Sequence, residues 1–126
     1  MQKILIHGGR SLLALYFLLP GILKFVAWDM HVALMNKHGM MFIPILLAAA
    51  GCVQIIASIS LLINRYVAWS ALTLAALTLV INYNLHDFWN FSGIEAGHEQ
   101  QNFVKNLGIF AGLLLLAGMT LRTEEK

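Results

Sequence analysis

The sequence predicts an all-α protein, an antiparallel four-helix transmembrane bundle with both termini in the cytoplasm. Three observations predict it. Four apolar stretches take up nearly all of the 126 residues, hydrophobic residues make up 60% and charged residues 11%, and the lysines and arginines fall unevenly on the two sides of those stretches. A soluble domain typically has about 45–50% apolar and about 25% charged residues, so this chain has too little polar surface to cover a soluble globule. The stretches are Ser11–Trp28, Met40–Ile63, Val67–Leu85 and Phe103–Leu121. At about 1.5 Å rise per residue each covers most or all of a hydrocarbon core about 30 Å thick. Residues 1–126 are therefore read as one domain, and function is expected within the helices or at their rims.

The first helix could be confused with a signal peptide, because Lys3 and Arg10 precede Leu12–Leu19. Pro20-Gly21-Ile22-Leu23-Lys24-Phe25 follows without a small-residue cleavage site, so a retained helix is expected. Pro20 falls mid-helix and predicts a kink there, aided by Gly21. In the second helix Pro44 sits in the first turn, where a missing N–H costs little. Ala48, Gly51 and Cys52 offer a small-residue face. Asn64-Arg65 forms the turn into the third helix. In the fourth, Gly108 and Gly112 are spaced to let a neighbouring backbone approach, within the bundle or in a homo-oligomer.

Four crossings place both termini on one side. Lys3, Arg10, Arg65, Arg122 and Lys126 fall there, against Lys24, Lys37 and Lys105 on the other. The excess of basic residues assigns the terminal side to the cytoplasm of a multi-pass inner (plasma) membrane protein. The net charge of +2 is scattered and has no basic run to track a phosphate backbone, so nucleic acid is not an expected partner. Cys52 is the one cysteine, which rules out an internal disulfide or Cys-x-x-Cys redox pair.

Polar residues concentrate on the non-cytoplasmic side: Lys24, Asp29, His31, Lys37, His38, Asn82, Asn84, His86, Asp87, Trp89, Asn90, Glu95, His98, Glu99, Asn102, Lys105 and Asn106. Four of the five histidines are among them. An ionisable group at membrane depth costs about 2.5–3.5 kcal/mol on insertion scales, so such groups face the interior and mark a site. Asn82 and His86 lie one turn apart, with Trp89 continuing their face; Asn102, Lys105 and Asn106 share a face of the fourth helix. Opposed, the two sets would line a pocket under the Phe88–Gln101 loop, closed by Lys24. Asp87 is expected to pair with Lys24 or Lys105, and His86 with Asn82 or Asn106. Its imidazole, able to take up and release a proton, makes His86 a candidate proton carrier.

Each residue also has a plainer reading. His86, Asp87 and Trp89 could cap the third helix at the interface, and Lys24 could extend to the headgroups. Gln54, with Ser58 one turn on, is best read as an interhelical hydrogen bond in mid-membrane. Arg10 is read as reaching cytoplasmic headgroups or the Arg122 end. No two of these histidines have a short ligand spacing, so no metal site is predicted.

Several segments together resemble the DoxX family of small membrane proteins. They are Gly9-Arg10-Ser11-Leu12-Leu13-Ala14-Leu15-Tyr16-Phe17-Leu18 followed by Gly21-Ile22-Leu23-Lys24-Phe25, then Leu61-Leu62-Ile63-Asn64-Arg65, His86-Asp87-Phe88-Trp89, and Phe103-Val104-Lys105-Asn106-Leu107-Gly108. The resemblance implies a four-helix inner-membrane protein, some relatives of which are linked to quinone-dependent sulfur or thiol oxidation. It picks out Arg10, Lys24, His86, Asp87, Trp89, Lys105 and Asn106. His86, Asp87, Lys24 and Lys105 are thus the candidate reactive groups; Trp89, Asn82, Asn106 and Arg10 are candidate cofactor contacts, with a quinone the cofactor implied. Gln54 stands where family members often carry an acidic residue. The functional expectation is a quinone-associated or redox-linked subunit working with a protein partner. The alternatives are a scaffold or assembly factor for a periplasmic protein, or a transporter acting as an oligomer.

Reporter fusions after Arg122 and within the loop at Glu95 should report opposite compartments. Finding both on one side would sink the predicted threading.

Overall fold

In the computed structural model, which describes residues 1–124, the chain forms five α-helices and one short 3₁₀ turn. They are α1 (Gln2–Val26), α2 (Trp28–Lys37), α3 (Ile43–Leu62), α4 (Val67–Leu85), the 3₁₀ turn Phe88–Asn90, and α5 (Gly93–Glu124). Four segments are long and apolar enough to cross a membrane: α1, α3, α5 and Val67–Asn90, which contains α4. Lys126, counted above on the terminal side, lies outside the described residues.

The four long helices share one core. Ala14 and Phe17 of α1, Ala57 and Leu61 of α3, Ala68, Ala71, Leu74 and Ala75 of α4, and Leu113 and Ala117 of α5 are buried together. The abundance of alanine suits a membrane setting, where apolar side chains gain little by leaving lipid and close van der Waals packing drives helix association instead. Outward-facing residues are correspondingly apolar: Leu12, Leu19, Ile45, Ile56, Val80 and Leu115 are all exposed mid-helix, as expected of a lipid-facing surface.

α1 and α3 make the closest approach. A Cβ at Gly51 would lie 2.5 Å from the Phe25 ring, and one at Gly21 would lie 3.1 Å from both Gln54 Cβ and Ile55 Cγ1. Gly51 thus plays the part its small-residue face predicts. Within the bundle Gly108 and Gly112 do not: nothing lies within 4 Å of a Cβ built on either. The interhelical bond expected of Gln54 is present, its Nε2 donating to Phe17 O at 3.1 Å. Pro20 lies inside α1.

Three boundaries depart from the hydropathy reading. α1 starts at Gln2 and not Ser11, and α5 starts at Gly93 and not Phe103. A helix can continue beyond the bilayer on polar residues, and 32 residues of α5 span about 48 Å at 1.5 Å each, well beyond a core of about 30 Å. The connection after α1 also contains α2. Ala27 interrupts the helical path with φ −108° and ψ 48°, and the chain then resumes with Asp29 in the first turn and Lys37 in the last, each complementing the helix dipole. Trp28, Val32 and Met35 recur on one face, where they pack with Ile43 and Leu47 of α3 and Leu85 of α4. Period 3.6 in a short segment of mixed polarity is masked by an average over a span-length window.

Candidate functional site

Lys24, His86, Lys105 and Asn106 line one cavity of about 140 Å³. Its remaining walls come from Tyr16, Phe17 and Pro20 of α1, Gln54 of α3, and Thr78 and Ile81 of α4. Tyr16, Pro20 and Lys24 recur every fourth residue and so form one face of α1. That spacing was legible, and the sequence reading did not use it.

A polar relay crosses the helices beside this cavity. Tyr16 Oη donates to Asn106 Oδ1 at 3.2 Å, Asn106 Nδ2 donates to Asn82 Oδ1 at 2.9 Å, and Asn82 Nδ2 donates to Phe103 O at 3.1 Å. Both asparagines are buried. An amide with its donors and acceptors paired in this way joins α1, α4 and α5 through directional contacts that lipid cannot replace.

The expected partners of Asp87 and His86 are corrected by the helices that hydropathy concealed. α2 carries His38 to the rim, where its Nδ1 lies 2.7 Å from Asp87 Oδ1; Asn90 Nδ2 donates to Asp87 Oδ2, also at 2.7 Å. Asp87 is therefore bonded to His38 and Asn90, not to Lys24 or Lys105. The early start of α5 brings Glu99 to His86, with Nδ1 2.7 Å from Oε2, while Asn82 and Asn106 bond each other. Lys37 of α2 pairs with Glu95 of α5 and lies 5.8 Å from the centre of the Phe91 ring. His38 and Glu99 belonged to the polar set read from sequence, but no local spacing links them to their partners.

Trp89 does not continue the Asn82–His86 face. α4 ends at Leu85 and the 3₁₀ turn carries Trp89 to an exposed position, against Tyr83, Phe88 and Phe103. Arg10 lies at the opposite end of the molecule, where Nη1 donates to Asn64 Oδ1 in the α3–α4 turn at 2.8 Å.

Neither lysine of the cavity has a carboxylate partner among the described residues, whose ion pairs are Lys37–Glu95, His38–Asp87 and His86–Glu99. Gln54 is 3% exposed and its Oε1 has no hydrogen-bond partner. The bond from Nε2 to Phe17 O fixes the amide orientation, since a flip would set two oxygens against each other. His86 spends Nδ1 on Glu99, leaving Nε2 as its second ring nitrogen. A wider, mostly apolar groove of about 540 Å³ adjoins the cavity and shares Lys24, Ile81 and His86 with it. Its other walls include Leu34 and Met35 of α2, Leu47 and Val53 of α3, and Leu77 and Val80 of α4.

Four membrane-length helices with polar groups drawn to the interior define a multi-pass helical membrane protein. The DoxX family model matches residues 5–87, and the chain belongs to that family. No curated protein and no solved structure matches it. Trp89, Lys105 and Asn106, which the resemblance singled out, lie beyond the matched residues.

Replacing Asn106 by Leu should destabilise the protein by about 1–3 kcal/mol, because it strands the Tyr16 hydroxyl and the buried Asn82 Oδ1. Val104→Leu on the exposed side of the same helix should change stability little. Equal unfolding midpoints in detergent for the two variants would remove the relay from the account.

Proposed function

We propose that this DoxX family protein is a quinone-associated, redox-linked subunit of the inner membrane, with its site at the non-cytoplasmic rim. The observation that carries the proposal is the continuity of the apolar groove with the polar cavity through Lys24, Ile81 and His86. A quinone has an isoprenoid tail suited to such a groove and a ring whose two oxygens accept hydrogen bonds. Lys24 and Lys105 supply donors uncommitted to any carboxylate, and Gln54 Oε1 is an unused acceptor in the same walls. Bound there, a quinone supplies two-electron, two-proton redox chemistry. Lys24 and Lys105 orient the ring, and Gln54 Oε1 accepts from a hydroxyl of its reduced form. The His86–Glu99 hydrogen bond links cavity to rim, so His86 Nε2 exchanges protons with the cavity while Glu99 stabilises the protonated imidazole.

The reading includes a single domain of residues 1–126 in antiparallel threading with cytoplasmic termini. Successive α1 residues Arg10, Phe17 and Phe25 meet Asn64 just after α3 and then Gln54 and Gly51 of α3, in opposite order, which supports the antiparallel direction of the two helices. With Cys52 the one cysteine, electrons from a thiol or sulfur donor require a partner subunit. The rim formed by α2, the 3₁₀ turn and the start of α5 is the surface we assign to that partner.

A photoreactive quinone analogue should label peptides from α1 and α4 in membranes. Lys24→Met should lower the labelling about tenfold, the effect of losing one charged hydrogen bond, and Trp89→Phe should leave it near the wild-type level. Labelling that is absent, or indifferent to Lys24, would contradict the quinone assignment and favour a scaffold role for the same rim.

A further inference from the structure

The opposite end of the molecule holds a second polar feature that the quinone reading does not use. Arg10 is 8% exposed. Its Nη1 bonds Asn64, its Nε has no partner, and no carboxylate among the described residues pairs with it. A guanidinium cannot shed its charge near neutral pH, and a buried cation with one neutral partner bears a large uncompensated desolvation cost. The site lacks an anion.

The surroundings indicate which kind. Arg10 lines a cleft of about 490 Å³ between the start of α1 and the end of α5, with Leu5 and Leu13 from α1 and Leu116 and Met119 from α5 among its mostly apolar walls. A second cavity of about 260 Å³, lined by Gln2, Met119, Arg122 and Thr123, shares three of those residues with the cleft and adds a second cation at its edge. No Asp or Glu lines either one. Asn64 belongs to the α3–α4 turn, so Arg10 stands at the depth where the chain leaves the bilayer, the depth of lipid headgroups. A free inorganic anion would gain nothing from the leucine walls, whereas an acyl chain would. Basic pockets between transmembrane helices on the cytoplasmic side suit anionic lipid headgroups.

We propose that this cleft is a binding site for an anionic phospholipid, its phosphate held by Arg10 and an acyl chain lying along Leu13, with Arg122 at the edge of the adjoining cavity adding to the positive field. The site is independent of the rim cavity, and the bound lipid ties the ends of α1 and α5 together. It supplies the counter-charge that the described residues do not.

Native mass spectrometry of the full-length protein in mild detergent, with equimolar phosphatidylglycerol and phosphatidylcholine of the same acyl chains, tests this. Wild-type protein should retain phosphatidylglycerol about tenfold over phosphatidylcholine, and Arg10→Gln should abolish the preference. Gly112→Leu should weaken retention of both lipids while leaving Arg10 in place, because Gly112 lines the cleft and a Cβ there meets open space. Equal retention of the two lipids by the wild type would overturn the proposal, as would an unchanged preference in Arg10→Gln. Competition by millimolar inorganic phosphate would overturn the lipid assignment in favour of a free anion. If Arg10→Gln fails to accumulate in membranes, Gly112→Leu decides alone, and wild-type retention in it counts against the site.

Discussion

The contact on which the rest of the structure depends is the close seating of α1 on α3 at Gly21, Gly51 and Gln54. Lipid competes for apolar surface on equal terms with another helix, so two helices stay together only where backbones come near and polar groups find partners. Both conditions are met within one turn. Gly21 lets α1 reach the Gln54 Cβ and Ile55, Gly51 receives the Phe25 ring, and the Gln54 amide donates to the Phe17 carbonyl beside Pro20. That register places Lys24 one turn beyond Pro20, beside His86 and facing the apolar groove.

The rim is built from a different interaction. Where α1 and α3 meet by close backbone contact, α2, the 3₁₀ turn and α5 are joined by acid–base pairs: His38 with Asp87, His86 with Glu99, and Lys37 with Glu95. The first two are largely shielded and the third is well exposed, so they differ in worth, exposed pairs contributing about 0–1 kcal/mol. Their joint effect is positional. They hold α2 and the start of α5 over the ends of the spanning helices, with Asp87, Glu95 and Glu99 engaged away from Lys24 and Lys105. Among the described residues, Lys24 and Lys105 at one end and Arg10 at the other thus have no carboxylate partner.

Hydropathy was enough to place the four spans, because twenty apolar residues in a row have few other uses, while the family was legible in short motifs from Gly9 to Gly108. It was enough to draw Lys24, His86, Lys105 and Asn106 into one set, since polar groups at that depth turn inward. It could not supply their partners. The expected Asp87–lysine pair failed because α2 was read as a loop, and the His86–asparagine pair failed because α5 was started ten residues late. In both cases the missing helix is one whose polar residues leave the bilayer, where hydropathy carries no signal. The expectation that Gly108 and Gly112 pack within the bundle failed for another reason: small residues permit a close approach without requiring one. Gln54 shows the converse, for a single amide among apolar residues is informative wherever it falls.

The seating of α1 on α3 is tested most directly by enlarging the glycine that permits it. Gly21→Leu and Gly108→Leu add the same atoms to a spanning helix, one facing α3 and the other open space. Thermal unfolding in detergent should show Gly21→Leu destabilised by about 1–3 kcal/mol or more from overpacking, and Gly108→Leu close to wild type. Equal unfolding temperatures for wild type and Gly21→Leu would contradict the claim that this contact holds the helices in register and shapes the cavity.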